Sequence, residues 1–311
     1  MSVLRSQFTD MYLEDALPAL EKVTQDLMDQ HPEEYKKLFN MGTMKQGIKQ
    51  HTQVSGLETA TAVGEGAEYP RDEQVQGYDK TFTAIKYGAI TAISQEALDD
   101  DQYEVFNRRP EQLARAMQEA RCIAAADIFN NSGSDTGPDG VSLLSTAHPL
   151  AKPGAGTNAN RAAADADLSL SSLEDIVTIM RKTKDNAGKR VRIRPRYLVV
   201  GPDLEFLAHE LLNSQLKPQA STASSLTEEN AINSMRTLYG MEVVVMEHIT
   251  DDDAFWIVGD KSQNELWWYT RKPFTTSSDM EFKSDIALLK GSERYAVGYS
   301  DWRGIAGSLG A

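Results

Sequence analysis

The sequence predicts an α+β chain, and three observations carry that expectation. Residues 94–130 place apolar side chains at helical spacing, a glycine-punctuated strand-like stretch comes just before them, and two further helix patterns alternate with strands from 168 to 270. In the first of these, Phe106, Leu113, Met117, Ala120, Ala124 and Ile128 recur at spacings of three, four and seven, one apolar stripe among Glu, Gln, Arg and Ala. A helix from residue 102 to residue 130 would be ~40 Å long at ~1.5 Å per residue. Pro110 predicts either a kink or a fresh helix start, and the turn-rich run Asn131–Gly140 ends the rod. One long helix midway along the chain is a spine for the rest.

Composition narrows the function. The chain has 311 residues, 41% hydrophobic and 25% charged, enough for one large domain or two smaller ones. No apolar run has the length of a membrane span, and the first twenty residues lack a basic head followed by an apolar block, so cytosolic synthesis is expected. A single cysteine, Cys122, excludes an intrachain disulfide and argues against a cysteine-based metal site. A net charge of -14 argues against a free-standing nucleic-acid binder, which needs a basic face.

Taken in order, residues 1–45 form an acidic amphipathic arm, interrupted by Pro18 and Pro32, that predicts short helices. A solvated terminal helix on its own domain is the other reading of it. Residues 46–93 read as two antiparallel strands joined by a polar tip that carries Glu65, Glu68, Arg71 and Asp72, with Lys80 and Lys86 on the returning strand. A 20-residue arm of that kind would reach ~65 Å. Its alternation is poor and an isolated hairpin is marginal in water, so it needs a partner, and another copy of the chain is the simplest one. After the spine, 140–160 is loop with brief extended pieces. A helix follows from Leu168, with a stripe of Leu173, Ile176, Val177 and Met180 and a capping box of Ser171 and Glu174. Arg196–Gly201 is a buried strand, Pro202–Leu212 a second helix, and 213–235 a polar stretch. Strands follow at 241–246, 254–258 and 266–270, and a last strand-like piece from Met280 to Gly304 should return to the spine.

Catalytic patterns are weak. Ser145 and His148 share a loop without a G-x-S-x-G elbow, which favours a loop-stabilising hydrogen bond over a hydrolase triad. The five histidines have no metal-ligand spacing, and no metal or cofactor is expected. Asp99–Asp101 reads as a helix cap and Asp251–Asp253 as a hairpin turn rather than calcium loops. Gly64-Glu-Gly66 reads as a turn, and Cys122 as a small packed residue. The basic run Arg181, Lys182 and Lys184, then Lys189, Arg190, Arg192, Arg194 and Arg196, stands out in an acidic chain. Three readings of it stand: contact with nucleic acid, a charged face that registers a neighbouring copy, and a solvated edge.

The order of arm, hairpin, spine, α/β domain and returning strands resembles the shell subunit of tailed double-stranded DNA phages, the HK97-like fold. Within that group it is most similar to the major head protein of Mu-like phages. The residues that carry the resemblance are the junction Ala89–Asp100, the loop Gly140–Pro149 with Gly156–Asn158, the unit Arg194–Glu205 with Ala208 and Leu211–Ser214, and the end Tyr295–Ser308. The resemblance implies hexamers and pentamers tiling an icosahedral head around double-stranded DNA, with residues 168–264 as the axial domain. It further implies that 94–167 with 265–311 form the peripheral domain and that 46–93 lies over a neighbour. Glu65, Glu68, Arg71, Asp72, Lys80, Lys86, Arg181, Lys182, Arg190 and Arg192 are the expected inter-subunit contacts. The expected partners are further copies of the chain, a separate scaffold protein, a maturation protease and a portal, with assembly in the bacterial host cytoplasm and no membrane. A compartment shell of the encapsulin kind and a soluble Ser/His hydrolase are the rival expectations.

Overall fold

The computed structural model describes residues 33–56, 60–66, 68–69, 74–94, 105–216, 232–281 and 286–310. The expectations for residues 1–32, Arg71, Asp72 and Asp99–Asp101, and for the Phe106 side chain, lie outside what it describes. The chain is α+β, as its sequence predicts, and is built on two four-stranded sheets that meet at the spine.

The spine is helix α2, Val105–Asn130. Pro110 sits in its second turn rather than opening it. The buried face runs through Leu113, Ala114, Met117, Ala125, Ala126 and Phe129, while Ala120, Ala124 and Ile128 are only half-buried. The stripe is therefore turned by about one residue from the sequence reading, and Arg121 lies within it. An arginine in an apolar seam hides the true period from a hydrophobicity count.

Sheet one has the order β1–β10–β11–β4, from β1 Asn40–Thr43, β10 Leu266–Glu281, β11 Ile286–Tyr299 and β4 Ile85–Ser94. Strand β1 runs parallel to β10, and the other pairs are antiparallel. The arm carries one expected short helix, α1 (Tyr35–Leu38), and then ends in an edge strand of this sheet. One expectation changes here. The stretch read as one returning hairpin strand divides at Ala84: β3 (Gln76–Thr83) pairs with β2 (Ile48–Val54), whereas β4 joins sheet one. The paired hairpin is thus seven to eight residues long, far short of the 20-residue arm. Both pieces have the same strand composition, so only the tertiary pairing separates them.

Period two then distributes β10 between two environments. Trp268 faces the helices, where Tyr35, Trp268, Tyr295 and Tyr87 stack in succession with centroids 4.5, 4.6 and 4.4 Å apart. Trp267 and Tyr269 face the opposite side and receive the hairpin.

After the spine, β5 (His148–Pro149) and β6 (Thr157–Asn158) form a small antiparallel pair. Sheet two, order β12–β9–β7–β8, comprises β7 Pro195–Val200, β8 Glu242–Val245, β9 Phe255–Gly259 and β12 Ile305–Ser308. Leu198, Val200, Phe255 and Ile257 pack under helices α3 (Leu170–Arg181) and α4 (Glu205–Asn213), while Val199, Trp256 and Val258 join the spine core. Burial on both faces accounts for the continuous apolar runs of β7 and β9. Leu173, Ile176, Val177 and Met180 are all buried as the stripe predicts. The α3 cap is Ser169 with Ser172, not Ser171 with Glu174, whose carboxylate accepts from Ser234 instead. The turn at Asp251–Asp253 connects β8 to β9 across β7 and is no hairpin turn. Strand β11 packs on the spine through Tyr295 and Tyr299, while the last described strand, β12, lies at the edge of sheet two and still adds Ile305 to the spine core.

Candidate assembly surfaces

Strand β2 is built against the usual rule. Its half-buried residues are Lys49, His51 and Gln53, whereas Ile48 (60% exposed) and Val54 (57%) face solvent. Its partner strand adds Lys80 and the buried Phe82 to the inner side, with His51 opposite Lys80 and Lys49 opposite Phe82. The inner side lies on the aromatic face of sheet one. Lys49 Nζ sits 3.9 Å from the Tyr269 ring centroid, Lys80 Nζ 5.4 Å from that of Tyr299, and His51 Nε2 is 2.6 Å from the Tyr269 hydroxyl. Exposed aliphatics on β4, Ile85 and Ile90, extend the uncovered apolar surface to the edge of sheet one.

Beyond the hairpin root, Gln53 donates to the Ser300 carbonyl (2.7 Å) and accepts from Asn186 (3.1 Å). Arg303 holds the same loop, donating to the Asn186 side chain (3.0 Å) and the Lys184 carbonyl (2.6 Å) while paired with Asp301. Burial pushes the Asp301 carboxyl up, against the pull of Arg303. This node ties the hairpin to the loop that carries the basic residues.

In that loop and the strand after it, Arg190, Arg192, Arg194 and Arg196 are exposed while Val191, Ile193 and Pro195 turn inward. Extended backbone puts every second residue on one side, so the arginines form a row ~6.6 Å apart. Gln263 fixes it by accepting from the Arg194 amide and donating to the Arg192 carbonyl. Arg181 ends α3, where a cation suits the helix dipole, and donates to the Tyr239 hydroxyl at 2.9 Å. Lys182 is exposed beside it.

The predicted contact residues therefore fall in separate places. Glu65 and Glu68 are exposed at the hairpin tip, with Gly66 between them at φ 79°. Lys80 turns inward over Tyr299, and Lys86 belongs to β4 in sheet one rather than to the hairpin. Arg190 and Arg192 share the row, and Arg181 lines a shallow hollow with Arg192 and Arg194.

One polar centre, on the spine, escaped the sequence reading. Arg121 donates to both oxygens of Glu293 (2.9 and 3.1 Å from Nε) and to Glu33 (2.7 Å), and both carboxylates are nearly fully buried. The one available signal was an arginine spaced four residues from both Met117 and Ala125. Another polar centre is His148, fully buried against Trp302 with ring centroids 4.1 Å apart. Its Nδ1 is 2.6 Å from Asp139 and its Nε2 3.1 Å from Asn160 Oδ1, which also accepts the Ser145 amide. Both ring nitrogens are engaged, leaving neither for the Ser145 hydroxyl, so this cluster pins the loop as the bland reading expected.

Known proteins resolve the class. Residues 77–308 match the family model described as phage capsid protein. Among solved structures, a chain from Microbacterium phage Oxtober96 is similar at 16% identity and TM-score 0.57, covering 89% of this chain and 90% of that one. The capsid of cyanophage P-SCSP1u follows the same path at 10% identity and TM-score 0.59, with 89% and 88% covered. The capsid of the native GTA particle gives 16% identity and TM-score 0.55, with 90% and 92% covered. No curated protein matches the sequence. Those likenesses establish the HK97-like fold, and the family match spans most of the chain: this polypeptide belongs to the phage capsid protein family.

Proposed function

We propose that this chain is the major head subunit of a Mu-like tailed phage and tiles an icosahedral shell as hexamers and pentamers around double-stranded DNA. The observation that supports this best is the inverted hairpin: Ile48 and Val54 point to solvent while lysine and histidine occupy the inner side. A subunit that ended at its own surface would place those residues the other way round. Burying the two aliphatics against another copy would stabilise the contact by about 1.5–3 kcal/mol each. In this reading residues 168–264 surround the capsomer axis, 94–167 with 265–311 form the periphery, and 46–93 lies over a neighbour. Glu65, Glu68, Arg71 and Asp72 would meet the cations Arg181, Lys182, Arg190 and Arg192 across the boundary, with Lys86 on the open face of β4. A separate scaffold protein, a maturation protease and a portal complete the assembly, which takes place in the host cytoplasm.

The test is removal of residues 60–74 with a short glycine linker in their place. The shortened subunit should keep the parent's circular dichroism and melting transition yet form no closed particles by negative-stain microscopy. Normal particles from it would sink the proposal.

A further inference from the structure

The hairpin rests on its own sheet by an unusual seat. Apolar packing there centres on Phe82, buried with Met44, Ala84, Tyr269 and Ala296. Beside it Lys49 lies over Tyr269, Lys80 over Tyr299 and His51 among Phe82, Trp267 and Tyr269, with ring centroids 5.2 to 5.5 Å away, and Gln53 donates to the Ser300 carbonyl. From this geometry we infer that His51 is a proton-sensitive catch that holds the hairpin root on its sheet and releases it when the imidazole becomes charged.

The charged and titratable groups around the imidazole come from every packed element. Its own strand supplies Lys49, β3 supplies Lys80 directly opposite, and β10 supplies the Tyr269 hydroxyl. Just before β10, Glu265 is the carboxylate that pulls on it, already accepting from Trp267 Nε1 and the Ser300 hydroxyl at 2.8 Å each. The cavity that His51 lines is bounded further off by Asp185, Asp301, Lys189, Arg190, Arg192 and Arg303. A proton on His51 therefore adds a positive charge beside Lys49 in a partly desolvated pocket. Burial first, and Lys49 second, hold the imidazole below its ordinary value, against the weaker pull of Glu265.

The sign follows from linkage. The released hairpin exposes an ordinary imidazole that protonates near pH 6.5, before the seated one does. Seating is at full strength above that pH and weakens as pH falls, until the seated imidazole also protonates. The catch lies within one subunit and acts whether or not the chain assembles, so its failure would leave the shell reading untouched.

Amide hydrogen exchange on the full chain between about pH 5 and 8, corrected for the intrinsic rate, tests it. Protection of residues 48–54 and 76–83 should fall below pH ~6.5 by up to about tenfold per pH unit, the limit for one proton, while residues 195–200 stay protected. His51→Gln keeps a partner for Tyr269 without titrating, and His51→Phe fills the aromatic seat. Each should flatten the fall. Constant hairpin protection in the parent chain, or a parental fall retained in either folded variant, would overturn the inference.

Discussion

Arg121 shows how much one residue can hold. It joins three separate stretches: Glu33 before α1, its own spine, and Glu293 on β11. Two buried carboxylates share one part-buried guanidinium, and Lys36 and the Tyr35 hydroxyl add to Glu33. Removing the arginine strands both acids, and breaking a buried pair costs about 3–5 kcal/mol. Arg121→Ala should lower the denaturant midpoint accordingly, and Glu293→Gln by less, because an amide still accepts a hydrogen bond. Burial pushes the Glu33 carboxyl up, but Lys36, Tyr35 and Arg121 together outweigh it and leave its pKa below the usual range. Its contribution is then present above the ordinary carboxylate value of about 4.3 and is lost as pH falls through the depressed one. Unfolding of the parent followed against pH should show an acid-side loss that Glu33→Gln removes.

At the scale of elements, the hairpin is held to the body by a few named side chains: Phe82, Lys49, His51, Lys80 and Gln53. Gly77 lies on β3, where a Cβ would come within 2.2 Å of the Asn186 amide and 2.8 Å of Gln53 Cβ. Gly77→Ala should force those side chains apart and loosen the tether to the 184–190 loop, at about 1–3 kcal/mol for an overpacked contact. Faster exchange confined to 48–54 and 76–83 would bear this out, and unchanged exchange there would refute it. The same element marks where the sequence stopped being readable. Helix α3 announced itself through Leu173, Ile176, Val177 and Met180, because a helix needs only its own period. Strands are assigned by partners, so nothing between Tyr78 and Ile93 could tell that the chain leaves the hairpin at Ala84 and enters sheet one. The contact residues behaved likewise. The arginine row was visible as i, i+2 spacing, but the inward turn of Lys80 depended on Tyr299, far away in sequence. Arg121 was missed because charge was taken as a mark of the solvated face.

For the whole molecule, the question is where a charge of -14 leaves the DNA. An acidic subunit repels the polymer its shell would enclose, and a wall without adhesion lets that polymer be packed and released. Among the described residues the arginine row is the feature that would oppose this, and its chemistry makes the alternative measurable. If Arg190, Arg192, Arg194 and Arg196 each neutralised a phosphate, log affinity would fall with log salt at a slope of about -3.6, from about -0.9 per contact. A row committed to carboxylates of another copy would show no such binding. Mixing the purified chain with duplex DNA across a range of salt should therefore yield no retention beyond that of a neutral control protein. Retention with a slope near that figure, abolished by Arg192→Ala with Arg194→Ala, would assign the row to nucleic acid. The shell would then grip its cargo, and the acidic balance of the chain would need another cause.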